Sequence, residues 1–378
     1  MSLFSHLVTP PVRTLGGYIP GKSLKQAEQE SGVQCIKLAS NENPFGPSQR
    51  AVAAMQRVLE ETNYYPDNDV TELRSRLAEK HGVAAENILV TAGSTSLLGI
   101  MARTMLAPGL NAVTSKLSFI VYPIATKAAG ATLIEVPTLH HGFDLDAVAA
   151  AIDANTRLVF IANPNNPTGT LLDAKTVDRF LAQVPVHVVV VLDEAYFDFA
   201  QYFAAARGVD YSHSLEHVRQ GKNVVVLRTF SKAHGLAGLR IGYGIGPKEL
   251  IGYFARMRTT FSVSSVAEAA ALAALEDENH VQVALANNAQ QSQWLLKSFQ
   301  AMGYDPVPSW ANFVFCELSE TASVVAKRLQ SEGVIIRPLG PWGAPNAIRV
   351  TVGTPEQNQM FVAAFKKVME HNTAAITR

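Results

Sequence analysis

Residues Val224 to Arg240 read V-V-V-L-R-T-F-S-K-A-H-G-L-A-G-L-R, and their order decides the fold. The apolar, β-branched run from Val224 to Leu227 has the composition of a buried strand. It delivers the chain into a loop of small residues holding Ser231, Lys232, Gly235 and Gly238, where backbone must pass close to something. Lysine is costly to bury unless it is paired or does chemistry. Arg240 lies eight residues beyond Lys232, and Ser231 adjoins it. An amine, a hydroxyl and a guanidinium can therefore converge on one phosphorylated ligand. Alone, such a loop has an equally good bland reading as surface chain.

Two upstream segments repeat the pattern. Ala162-Asn-Pro-Asn-Asn-Pro-Thr-Gly169 follows an apolar strand from Arg157 to Ile161, and Asp193-Glu-Ala-Tyr196 follows V-H-V-V-V-V-L from Val186 to Leu192. From Thr71 onward helix and strand patterns alternate, which argues an α/β fold with a mainly parallel central sheet covered by helices. Asp193 then falls at the sheet edge where open α/β sheets bind ligands. A buried carboxylate there calls for a cationic partner. Ala92-Gly-Ser-Thr95 sits between the strand Ile88 to Thr91 and a helix starting near Ser94, where free N–H groups and the helix dipole favour an anion.

With these residues in view, the chain resembles the fold-type I pyridoxal-phosphate aminotransferases (class I/II), and within them is most similar to histidinol-phosphate aminotransferase. The ordered motifs S-N-E-N-P (from Ser40), N-N-P-T-G (from Asn165), D-E-A-Y (from Asp193), S-K-A-x-G-L-A-G-L-R (from Ser231) and R-V-T-V-G (from Arg349) carry the resemblance, which runs from about Thr14 to the C-terminal helix. It implies pyridoxal 5′-phosphate (PLP) as cofactor. Lys232 would hold it covalently and move a proton during the reaction, and Asp193 would keep its ring nitrogen protonated. Tyr196 and Asn166 would donate to its phenolic oxygen. Gly93, Ser94, Thr95, Ser231 and Arg240 would cup its phosphate. Phe119 would stack on its ring, since stacking needs a flat π-surface. Tyr65, just before Pro66, would reach the phosphate of a neighbouring subunit, so the resemblance implies a homodimer with shared active sites.

Substrate recognition is carried over onto Tyr18, Asn43, Arg337 and Arg349. Both arginines follow apolar strand residues, and a bidentate guanidinium suits a phosphate or a carboxylate equally. Taken singly, each of these residues also has a structural reading: a packed aromatic for Tyr196 and Phe119, an Asn-Pro turn for Asn166, a loop tyrosine on its proline for Tyr65, and an inter-domain ion pair for the arginines. The implied reaction is ping-pong amino transfer between glutamate and histidinol phosphate. An aromatic or specialised-metabolite aminotransferase is the alternative, favoured by departures at Gly93-Ser-Thr-Ser96, where similar chains carry an acid or amide after the serine, at Tyr64 and at Phe261-Ser-Val-Ser-Ser265. Decarboxylation of a phosphorylated amino acid on the same scaffold is a third possibility, and a non-catalytic PLP-binding regulator a fourth.

The chain has 378 residues, enough for two domains. The arm 1–35 is rich in proline and glycine, 36–254 is read as the large cofactor-binding domain, and 255–378 as a linking helix with a smaller α+β domain. A long helix is expected from Val263 to about Trp294. With 32 basic and 32 acidic residues the formal net charge is zero, which points to neither nucleic acid nor an anionic membrane as partner. Cys35 and Cys316 match no metal or redox spacing, and the ten histidines form no ligand set in sequence, so no metal is expected. With no basic, apolar leader and no run of spanning length, a soluble cytoplasmic protein is expected.

Overall fold

The structure is a computed structural model that describes residues 3–17 and 21–376; Tyr18 lies outside the described residues. Seven strands form the central sheet: β1 Ile88–Thr91, β2 Asn111–Ser115, β3 Thr132–Val136, β4 Thr156–Ala162, β5 Val189–Asp193, β6 Val224–Thr229 and β7 Gly242–Ile245. Their order across the sheet is β1-β7-β6-β5-β4-β2-β3. All pairings are parallel except those of β7, which runs antiparallel to β1 and β6. Every residue of β1, β5 and β6 is buried, as continuous apolar runs require under helices on both faces. Each fully buried valine or leucine there contributes about 1.5–3 kcal/mol.

Strand β7 had no counterpart in the sequence-based expectations, and its glycines explain why. Gly242 and Gly244 weaken any strand signal, yet side chains do not fit there. A Cβ on Gly242 would fall 2.6 Å from the Ser94 backbone nitrogen. The antiparallel direction has a functional consequence. β7 begins at the edge where β1, β4, β5 and β6 end, so it brings Arg240 back beside the residues that follow those strands.

The smaller body is built on β8 Phe313–Glu317, β9 Arg337–Pro338 and β10 Ala347–Thr351, an antiparallel sheet in the order β8-β10-β9. Its core joins Val314, Ile348 and Val350 to Leu295, Phe299, Phe361 and Phe365 of the helices Glu278–Ala301 and Pro355–Ile376.

Two boundaries differ from expectation. Ile36–Lys37 pairs in parallel with Val334–Ile335, and Leu38 packs in the smaller core, so the chain leaves the small body only after residue 38. The expected helix over 263–294 is two helices, Ser265–Leu275 and Glu278–Ala301. Asp277 caps the second by accepting from the His280 N–H, which restarts the helix after the break at residues 276–277. The first helix buries Ala267, Ala270, Ala271 and Ala274 in the larger core, and packs on the helix Gln49–Val58. Small side chains on both helices permit that close approach. Among the described residues no helix is long and apolar enough to cross a membrane.

Candidate active site

The carboxyl edge of the central sheet and the face of β9 and β10 enclose a cavity of about 300 Å³. Its walls include Ser94, Thr95, Phe119, Asn166, Asp193, Tyr196, Ser231, Lys232, Arg240, Arg337 and Arg349, drawn from segments as much as 255 residues apart.

Lys232 follows β6 by three residues, and its Nζ donates to the Ser40 carbonyl at 3.2 Å. Burial, with the positive charge of Arg349 adding to it, presses the amine down to about 7 from its ordinary 10.5; Glu42 opposes this. A substantial neutral fraction at physiological pH makes it a nucleophile and a base. Asp193 is the last residue of β5 and is buried. Its Oδ2 accepts from the Tyr122 hydroxyl at 3.0 Å and its Oδ1 from the Ala195 N–H at 3.3 Å. Among the described residues no cationic side chain forms an ion pair with it, and burial pushes its carboxyl up to about 6. The site therefore has a carboxylate waiting for a cation. The neighbouring acid is already used. Glu194 accepts from Arg228 Nη2 at 2.8 Å and Nε at 3.1 Å on the far side of the sheet.

An anion seat is built at the other end. Gly93 caps the helix Ser94–Met105 with φ of 84°, and its missing Cβ leaves room for the Arg240 guanidinium, whose Nη2 would lie 2.6 Å from such an atom. Arg240 itself holds a left-handed backbone, φ of 52°, a conformation that costs a non-glycine residue about 1–3 kcal/mol. Its Nη1 donates to the Ala237 carbonyl at 2.9 Å, and no carboxylate among the described residues pairs with it. The first-turn amides of Ser94 and Thr95 and the Ser231 hydroxyl complete a donor set suited to a phosphate. The buried carboxylate of Asp193, the cleared glycine cradle and the enclosed lysine together fit the residues to PLP.

On the small body, β9 and β10 place Arg337 directly opposite Arg349. Both are buried. Like charges opposed across strands repel, and an anion between them relieves that repulsion. Arg349 donates to Asn166 Oδ1 and, at 2.9 Å, to the Ala39 carbonyl. Arg337 lies 4.9 Å over the Trp342 ring.

One expected site residue, Asn43, stands apart from the cavity, and Tyr65, expected to act on a neighbouring subunit, stands apart from that of its own chain. Asn43 does not line the cavity: its amide donates to the Ala233 carbonyl at 2.8 Å and its oxygen accepts from the Phe45 N–H, so it clamps the lysine loop. Tyr65 lies outside its own chain's cavity, 83% exposed and stacked on Phe261 at 4.7 Å. Of the departures noted in sequence, the Gly93-Ser-Thr-Ser96 stretch reaches the cavity through Ser94 and Thr95, whereas Tyr64 is exposed and neither it nor Phe261 lines the cavity.

The residues that went unassigned are Asn41, Tyr122 and Trp342. Asn41, in a left-handed conformation with φ of 56°, donates to the Tyr196 hydroxyl at 2.8 Å. It stands in the same S-N-E-N-P motif as Asn43, and asparagine's tolerance of that backbone was the available signal. Tyr122 sits in an ordinary apolar helix pattern, so nothing local marked it.

The family model for aminotransferase class I and II matches residues 33–365. Histidinol-phosphate aminotransferase 2 of Pseudomonas fluorescens (strain Pf0-1) is 45% identical over 369 residues, covering 97% of this chain and 98% of the relative. The histidinol-phosphate aminotransferase from Sinorhizobium meliloti, solved in complex with pyridoxal-5′-phosphate, superposes with a TM-score of 0.88 at 29% identity, covering 98% of this chain and 99% of that one. Aspartate aminotransferase from Thermus thermophilus with maleate superposes with a TM-score of 0.82 at 25% identity, covering 96% and 99%. With the family model spanning most of its length and relatives above 40% identity along nearly all of it, the chain belongs to the class I and II aminotransferases.

Proposed function

We propose that this chain is a PLP-dependent aminotransferase that exchanges an amino group between glutamate/2-oxoglutarate and histidinol phosphate/imidazole acetol phosphate, working as a homodimer in the cytoplasm. The observation that carries the cofactor assignment is the meeting of Lys232, Asp193 and the anion seat at Arg240 in one cavity. The substrate assignment is supported by the opposed Arg337 and Arg349, and by the names of the relatives.

When bound, PLP supplies the electron sink for the bond broken at the substrate's Cα. The chain supplies the rest. Ser94, Thr95, Ser231 and Arg240 would hold the phosphate end, while Asp193, kept in place by the Tyr122 hydroxyl, would offer its carboxylate to the ring nitrogen. Phe119 would bound the ring face, and Tyr196, whose hydroxyl accepts from Asn41, would serve the phenolic oxygen together with Asn166. Lys232 would hold the cofactor covalently and, once freed, its Nζ would carry the proton released at the substrate's Cα. Arg349 and Arg337 hold the substrate's anionic group. In the second half-reaction the same residues run the transfer in reverse onto the oxo acid.

The test is single-turnover spectroscopy of the PLP-loaded protein with histidinol phosphate, glutamate, phenylalanine and phosphothreonine in separate mixings, assaying carbon dioxide alongside. Fast loss of the visible band with histidinol phosphate and glutamate alone is expected. Conversion by phenylalanine with histidinol phosphate inert would reassign the substrate to aromatic amino acids. Carbon dioxide release would replace transfer with decarboxylation.

A further inference from the structure

A second, larger cavity of about 950 Å³ lies beside the catalytic one, between the segment that follows β2 and the loop joining β9 to β10. Among the described residues the two cavities share only two wall residues, Phe119 from the large body and Trp342 from the small one. Phe119 is fixed by its neighbours, edge-on to Tyr122 at 5.6 Å, whose ring in turn stacks on Phe160 at 4.8 Å. Trp342 is held differently. It ends a single 3-10 turn, Gly340–Trp342, closed by Gly343 in a left-handed conformation. The indole packs against the Arg337 guanidinium and the small cluster around Phe315 and Leu339. Its Nε1–H is buried without a hydrogen-bond partner among the described residues. Packing alone therefore keeps the ring in the partition, and truncating it leaves no broken hydrogen bond behind.

We infer that Trp342 is a specificity-determining residue: its indole closes the substrate end of the catalytic cavity against the neighbouring cleft and so limits the length of side chain that the site accepts. The inference rests on the cavity being the substrate site, but not on which amino acid is used. The cleft behind the partition has a mixed lining, with Lys116, Lys127, Glu135 and Glu317 around the apolar Leu117 and Ile120. It has room for a bicyclic ring and for a polar tail. With the indole removed, a planar substituent directed away from Lys232 passes beneath the 340–346 loop instead of meeting it. The discrimination at stake is that of a hydrophobic wall against excess length, which is worth roughly ten- to two-hundredfold.

The test uses the PLP-loaded full chain and two unreactive carboxylates, 3-phenylpropionate and 3-indolepropionate, with dissociation constants read from the shift of the visible band. In Trp342→Ala the preference for the indole compound over the phenyl compound is expected to rise by roughly tenfold or more over wild type, with Trp342→Phe in between. Single-turnover rates with tryptophan relative to phenylalanine are expected to move in the same direction. An unchanged ratio in both variants would overturn the inference. So would equal weakening of both carboxylates, which would make Trp342 a buttress for Arg337 and nothing more. Should Trp342→Ala fold poorly, Trp342→Phe still decides by its ratio. The outcome is separable from the substrate assignment: a rising ratio in a protein inert to histidinol phosphate keeps the partition and removes that substrate.

Discussion

Asp193 and Lys232 are both displaced from their ordinary ionisation by burial, in opposite directions, and the two shifts set a pH signature for the cofactor-free protein. Asp193 is raised from 3.8 to about 6, so the folded state holds its proton more tightly than the unfolded chain does. Its favourable contribution is present below pH 3.8 and lost as pH climbs through about 6, on the order of 3 kcal/mol. Lys232 is lowered from 10.5 to about 7, so the folded state releases its proton more readily; its cost is greatest below about 7 and fades as pH rises toward 10.5. Between pH 6 and 7 both groups are largely charged and both costs stand. Urea titrations from pH 4 to 10 are expected to show that Asp193→Asn flattens the acid side of the stability curve and Lys232→Met the alkaline side. A wild-type curve unchanged by either variant would contradict the burial argument. Asn43 makes a different prediction at the same scale. Because it ties residue 43 to the Ala233 carbonyl, Asn43→Ala is expected to cost about 1–3 kcal/mol in stability and to lower kcat while leaving KM for the amino substrate unchanged. A raised KM with unaltered stability would return it to the substrate-binding role that the sequence reading gave it.

The turn between β1 and the helix Ser94–Met105 shows how an element is tuned to one ligand group. Gly93 is needed twice, once for its φ of 84° and once because the Arg240 guanidinium occupies the space of a side chain. Gly93→Ala is expected to displace Arg240 from the helix N-terminus and weaken PLP binding by at least about tenfold, a loss of roughly 1.4 kcal/mol by equilibrium dialysis, with overall helicity retained. Unaltered affinity would place the phosphate elsewhere. At this scale much was legible in the sequence. The runs ending in Asp193 and before Lys232 are apolar and β-branched because those strands are buried on both faces, so their chemistry-bearing ends stood out. β7 was not legible, since its two glycines exist for close packing against Ser94 and Leu97 rather than for strand propensity. The same limit explains Tyr122 and Trp342. Each acts through a contact made across the fold, to Asp193 in one case and to a second cavity in the other, and neither contact leaves a local pattern.

The arrangement of the whole molecule leaves one expected site residue stranded in a single copy. Tyr65 projects from the large body with Tyr64, 83% and 73% exposed, and among the described residues Tyr65 stacks only on Phe261, itself 44% exposed. Leu59 in the preceding turn is 53% exposed, and Phe4 and Leu7 of the arm are 65% and 80% exposed. Exposed apolar and aromatic side chains of this kind are what an isologous dimer would cover, each copy lending Tyr65 to the other's phosphate seat. That exchange can be separated from a same-chain role by mixing two damaged proteins. A Lys232→Ala subunit has no reactive amine but an intact Tyr65. A Tyr65→Ala subunit keeps its amine but lends nothing to its neighbour. In a mixed dimer with exchanged tyrosines, the lysine-bearing site receives Tyr65 from the other copy and is wholly native. Random reassociation then places one such site in half of the dimers, so roughly a quarter of the sites recover wild-type PLP affinity and turnover. Were Tyr65 to serve its own chain, no mixture would contain a native site, and activity would stay at the average of the two parents. The comparison needs only subunit exchange under mild urea followed by a PLP titration of the mixture. Recovery of the high-affinity fraction, absent from either parent alone, is the expected result.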